Sequence, residues 1–202
     1  ISQPECLIGD IVADMQRSVR FIRHYAKDYG IDGNRLGVIG GSSGGHLSLM
    51  LGTCGGPGDP NATDEIDRES SAVQCVACFY PPTDLLNLGA STENPGDGGP
   101  PKSFVKGFGP KAESMDSWKI LGRELSPIYH ITPAMPPTFI VHGEADTLVT
   151  VDQSQRFADK AIAEGLNVKL ETRPGKEHGW PTMILDIPRF ADWFDEHMPA
   201  KK

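Results

Sequence analysis

Residues 40–45 read Gly-Gly-Ser-Ser-Gly-Gly. A serine with glycine two positions before and two after is the pattern of a strained turn that lifts a hydroxyl above a strand end, where it can act as a nucleophile. Here the pattern occurs in two overlapping registers, Gly40–Ser42–Gly44 and Gly41–Ser43–Gly45, and spacing alone does not choose between them. In either register the flanking glycines are expected to stand where the chain comes too close for a side chain. A helix starting at once would aim its free N–H groups and the positive end of its dipole at a developing oxyanion. A plain Gly-rich turn is one competing reading, and a phosphate-binding turn is the other. It lacks the lysine that such a loop needs, and it fits the dinucleotide pattern only loosely, through Gly41 and Gly44.

A serine hydroxyl needs a base, and the base needs a group to orient it. Both are present downstream. Glu144 and Asp146 lie in the loop after the apolar run 138–141, and His178, flanked by Gly175 and Gly179, lies in the loop after the run 168–172. Serine, acid and histidine in that order, each following a strand, can converge at one end of a parallel sheet. The chemistry would be acyl transfer through a covalent serine intermediate. Asp84 is a rival acid, but it stands before the irregular stretch of the chain and lacks the His-Gly-x-x-Asp setting of Asp146.

The elements that must position these residues can be read from hydrophobic period. Ile8, Ile11, Val12, Met15, Val19, Ile22, Ala26 and Tyr29 form one helical stripe, with Gly30 as its stop. A strand over 36–39 leads into the serine turn, and a helix follows it. Residues 73–80 read as a buried strand closed by Pro81 and Pro82, 151–165 as a helix, and 168–172 as a strand. Residues 183–198 read as a last helical segment whose aromatic residues pack in the core, with Pro188 at the start of its main helix. The alternation predicts an α/β fold, a mainly parallel sheet flanked by helices on both faces and joined by right-handed crossovers. Residues 1–202 form a single domain in this reading, with a lid-like irregular insertion at about 87–125. Phe104, Phe108 and Trp118 would line an acyl pocket there. A surface excursion with a few buried anchors accounts for the same stretch equally well.

Composition bounds the rest. The chain has 202 residues, 38% hydrophobic and 23% charged, enough for one sizeable core. A net charge of −8 argues against a nucleic-acid partner, and the absence of a long apolar run argues against a membrane span. Cys75 and Cys78 are three apart within a strand, so they face opposite sides and read as core, not as a redox or zinc pair. The six histidines show no metal-binding spacing; His142 reads as loop packing and His46 as lying outside the chemistry. Asp14 reads as a structural hydrogen-bond anchor. Asn61-Ala62-Thr63 is a glycosylation sequon, meaningful only in a eukaryotic secretory setting. The chain starts at Ile1 and shows no signal peptide, as expected of a processed form or part of a longer protein, and it leaves the compartment open.

The stretches GIDGNRLGVIGGSSGGHL, YPPTDL, SPIYHITPAMPPTFIVHGEADTLV and PGKEHGW, spread over nearly the whole length, together resemble the esterase branch of the α/β-hydrolase fold. The likeness is to the acetyl-esterase, feruloyl-esterase-like and hormone-sensitive-lipase-like groups. Their pattern Gly-x-Ser-x-Gly-Gly-His-Leu puts the nucleophile at Ser42. It implies Ser43 as an oxyanion-hole donor through its backbone N–H, Asp146 as the acid and His178 as the base. It implies a serine carboxylesterase for small, short-chain acyl esters, with no metal or organic cofactor. Prolyl-oligopeptidase-like peptidases share much of this vocabulary, and a hydrolase-fold binding module without activity is the alternative from another class. The chain departs from the pattern at its start. The usual strands and the His-Gly-Gly-Gly loop, which donates the second oxyanion N–H, do not precede the first helix. The resemblance is therefore to an N-terminally shortened fold with its second oxyanion donor unassigned. An open sheet edge is expected, to be covered by a homodimer or by pairing with the missing N-terminal sequence.

Overall fold

The computed structural model describes residues 6–199. Its sheet has four strands, β1 (Gly37–Gly41), β2 (Cys75–Phe79), β3 (Thr138–Gly143) and β4 (Val168–Arg173), lying side by side in chain order. Every pairing is parallel, with Gly41 opposite Phe79, Phe79 opposite Val141 and Gly143 opposite Arg173. All four strands therefore end on the same side, and the loops that leave them gather there.

The helices are α1 (Ile8–His24), α2 (Ser43–Cys54), α3 (Glu65–Arg68), α4 (Val105–Phe108), α5 (Met115–Glu124), α6 (Val151–Ala163) and α7 (Ile187–His197). Leu49 and Leu51 of α2, Val19 of α1 and Phe157 and Ala161 of α6 pack on Val76, Cys78 and Ile140 on one face of the sheet. Phe190 and Trp193 of α7 pack on Cys75, Ala77, Phe79, Phe139 and Val141 on the other. The alternation along β2 separates Cys75 from Cys78. Both are free thiols, and burial pushes Cys75 up to about 12 and Cys78 higher still.

Local differences from the expected elements have local causes. Helix α1 stops at His24, and residues 25–30 form turns that end at Gly30, whose φ is +66°. Ile22, expected in the core stripe, is 38% exposed and Ile184 is 67% exposed. The C-terminal segment starts as a 3-10 helix, Pro181–Asp186, before α7 begins. Asp14 is exposed, and its side chain has no hydrogen-bond partner among the described residues; Arg17 anchors α1 instead, through Asp64 and Asp67 at 2.5 Å each. Strand β1 pairs only with β2 among the described residues, and Ile39 on it is 48% exposed.

Residues 87–125 hold the short helix α4, flanking 3-10 turns and α5. Phe108, Trp118, Leu121 and Leu125 from this stretch cluster with Leu85, and Ile8 and Val12 of α1 pack against them. The excursion is thus tied to α1 and to the segment after β2 by an apolar cluster of its own.

Candidate active site

Ser42 is the N-cap of α2 and has φ 56° and ψ −121°, a conformation that L-residues adopt only under strain. Two backbone bonds hold it there. Its N–H donates to the Phe79 carbonyl at 3.0 Å, and its own carbonyl accepts from His46 N–H at 2.9 Å. The glycines around it have different reasons to exist. A Cβ on Gly40 would stand 2.2 Å from the Gly44 carbonyl oxygen and 2.7 Å from Ser48 Oγ, and one on Gly45 would stand 2.9 Å from the Phe79 carbonyl oxygen. Gly44, expected to be crowded, has open space around that position, so the close approach falls three residues after Ser42 and not two.

This contrast sets a prediction. Gly40→Ala is expected to destabilise by about 1–3 kcal/mol, because its clash is with backbone that cannot move aside without distorting the turn. Gly44→Ala, inside a helix and unobstructed, is expected to be neutral or to stabilise by up to about 1 kcal/mol. Urea midpoints of the two variants check this. Equal destabilisation would contradict the steric account of the turn.

The acid and the histidine are brought together by stitched loops. Ala145 N–H donates to the Lys176 carbonyl at 2.8 Å, and Glu144 N–H to the Arg173 carbonyl at 3.0 Å. Gly143 is needed for this contact, since a Cβ there would lie 2.3 Å from the Lys176 carbonyl oxygen. Gly175 and Gly179, with φ of +67° and +79°, let the second loop turn back so that His178 faces Ser42. The result is one line of hydrogen bonds: Ser42 Oγ to His178 Nε2 at 2.8 Å, and His178 Nδ1 to Asp146 Oδ2 at 2.8 Å. The other oxygen of Asp146 accepts from Leu148 N–H at 3.0 Å and Val149 N–H at 2.9 Å. Burial works to raise the Asp146 carboxyl. The nearby His142 imidazole and the hydrogen bonds from His178 and Val149 outweigh it and hold the group well below the usual carboxylate range. Asp146 is therefore ionised and acts only as an acceptor, which requires His178 to present Nδ1–H to it and leaves Nε2 free to take a proton from Ser42.

Ser43 opens α2, and the first N–H groups of a helix have no intrahelical partner. Both serines border a cavity of about 300 Å³. Its walls include Ile8 and Ile11 of α1, Leu47 of α2, Leu85, Phe104 and Phe108. Trp118, expected in the wall, is not part of it. It is fully buried behind Phe108, with ring centroids 4.9 Å apart, and its indole N–H donates to the Gly98 carbonyl at 3.0 Å. The excursion thus contributes both wall and anchor.

The remaining candidates stand apart from the line. Asp84 pairs with Arg156 at 2.6 Å and accepts from Tyr129 Oη at 3.2 Å. Glu144 accepts from Thr172 Oγ1 at 2.6 Å on an exposed surface. His46 is buried and kept neutral by burial, with Nε2–H donating to the Leu125 carbonyl at 2.6 Å. Two neighbours of the site carry no signal in periodicity or composition. Tyr80 has φ 36°, and its ring packs on the imidazole of His178 at 4.5 Å between centroids. His142 lies under Asp146, 3.4 Å from Oδ2.

Comparison with known proteins places this geometry in a family. The BD-FAE family model matches residues 3–161, more than half of the chain. The "Probable carboxylic ester hydrolase LipM" of Mycobacterium tuberculosis is 29% identical over 151 residues, covering 75% of this chain and 33% of that protein. "Esterase LipQ" of the same organism is 29% identical over 155 residues, covering 77% of this chain and 35% of that protein. The chain spans about a third of the length of these curated relatives. Among solved structures, an acetyl ester-xyloside bifunctional hydrolase from Caldicellulosiruptor lactoaceticus matches with a TM-score of 0.78 at 27% identity, over 96% of this chain and 68% of that one. With the four parallel strands, the serine turn at the end of β1 and a family match over most of its length, the chain belongs to the BD-FAE family and has the α/β-hydrolase fold.

Proposed function

We propose that the chain carries the catalytic apparatus of a serine carboxylesterase for short-chain acyl esters. The observation that carries this reading is the hydrogen-bonded line Ser42–His178–Asp146, whose serine borders an apolar cavity. The printed names of the relatives, a carboxylic ester hydrolase and an esterase, support it. Ser42 Oγ attacks the ester carbonyl while His178 Nε2 takes its proton; the C–O bond to the alcohol then breaks and His178 returns the proton to the leaving oxygen. Water repeats the sequence on the acyl-enzyme and releases the acid. Asp146 stabilises the imidazolium formed in each half, and the Ser43 N–H stabilises the oxyanion. The acyl group would occupy the cavity of about 300 Å³, roughly twice the apolar volume that suffices for benzene, so a short acyl chain fits with room to spare.

Side-by-side turnover of p-nitrophenyl acetate, p-nitrophenyl butyrate and a chromogenic dipeptide tests the reading. Ester hydrolysis with an initial burst of p-nitrophenol and no dipeptide cleavage is expected. Faster dipeptide cleavage would replace it with a peptidase. No turnover, together with no covalent labelling by a fluorophosphonate, would leave a binding module.

A further inference from the structure

His142 is the last residue but one of β3 and is completely buried, a costly place for an imidazole unless both nitrogens are used. Both are. Nδ1 is 2.7 Å from Ser154 Oγ, itself completely buried on α6, and Nε2 is 2.8 Å from the Val149 carbonyl oxygen. A carbonyl only accepts, so Nε2 carries a proton. The Val149 carbonyl thereby fixes the tautomer of the neutral ring, and Nδ1 is left to accept the Ser154 hydroxyl proton. Nε2 also lies 3.4 Å from Asp146 Oδ2, the oxygen that accepts from His178 Nδ1. Val149 closes the loop from the other side, because its N–H donates to Asp146 Oδ1 while its carbonyl is held by His142.

We propose that His142, its tautomer set by the Val149 carbonyl and its ring held by Ser154, is a positioning residue that acts through Asp146: it holds the loop 146–149 shut and keeps Oδ2 aimed at His178. The proposal rests on the reading of Ser42, His178 and Asp146 as the reacting line. The alternative is that His142 merely fills the space between β3 and α6, in which case any side chain of similar volume would serve. The two roles differ in what a hydrogen-bond donor restores. Phenylalanine fills the place of the ring but leaves the part-buried Val149 carbonyl without its donor, and it removes one of the two imidazole donors near Oδ2. Glutamine places an amide N–H close to where Nε2–H stands.

The test compares the full chain with His142→Phe, His142→Gln and Ser154→Ala. The first measurement is kcat per site, titrated by the p-nitrophenol burst so that unfolded protein does not count. His142→Phe is expected to lose about tenfold to a hundredfold in kcat with KM within twofold. His142→Gln should recover most of the loss, and Ser154→Ala should lose less than His142→Phe. The second measurement needs no turnover. The low-field proton resonance of His178 Nδ1–H reports its bond to Asp146, and it should move or vanish in His142→Phe and persist in His142→Gln. An unchanged resonance and unchanged kcat in folded His142→Phe would overturn the proposal, as would equal losses in the Phe and Gln variants. Failure of the underlying reading looks different: the wild-type chain would show neither burst nor fluorophosphonate adduct.

Discussion

Ser42→Ala is expected to abolish turnover, with a loss on the order of 10⁶-fold in kcat, while Ser43→Ala retains activity within about tenfold. The two serines are adjacent and their glycine frames overlap, so the pair separates position from composition. Ser42 alone has the strained backbone, with φ 56°, and its Oγ alone stands 2.8 Å from His178 Nε2. Ser43 is already the first residue of α2, and its proposed contribution is a backbone N–H that alanine keeps. The same variants separate under covalent labelling. A fluorophosphonate should form a stable adduct with the wild-type chain and with Ser43→Ala, and none with Ser42→Ala. Peptide mass spectrometry that located the adduct on Ser43 would overturn the register.

The serine turn was legible in the sequence because its demands are local. The close approach of Gly40 to the Gly44 carbonyl, the strained φ of Ser42 and the immediate helix start are all set within a few consecutive residues. Strands β2 and β3 were legible for a related reason: Val76, Ile140 and their neighbours form short apolar runs buried on both faces. What lay beyond reach depends on contacts between distant segments. That Gly44 has free space while Gly45 touches the Phe79 carbonyl is set by how α2 docks on β2. Ile8 and Ile11 read as one helix's core stripe, yet they form a cavity wall, because the excursion after β2 leaves a gap between itself and α1. Trp118 and Phe108 are indistinguishable by type, and only packing puts one behind the other. His142 reads as loop packing because nothing along the chain says that its ring would bridge Ser154 on the next helix and the Val149 carbonyl.

Asp146→Asn is expected to lower kcat on the order of 10⁴-fold with little change in KM, and His178→Ala to lower it further, toward the loss seen on removing the nucleophile. The asparagine result follows from donor and acceptor bookkeeping at one side chain. In the wild-type chain Oδ1 is committed to the N–H groups of Leu148 and Val149, and Oδ2 faces His178 Nδ1 and His142 Nε2. An asparagine would keep its carbonyl oxygen where two backbone donors require it, so its amide nitrogen would face both imidazoles. His178 could meet that amide only by offering a lone pair at Nδ1. Its proton would then sit on Nε2, where Ser42 needs a vacant acceptor, and the serine would lose its base without any movement of the backbone. Asp84→Asn is the control. Its carboxylate is partnered by Arg156 and Tyr129, so that variant should lose stability and keep kcat per titrated site within about tenfold. If folded Asp84→Asn proved slower than folded Asp146→Asn, the acid would have been assigned to the wrong loop.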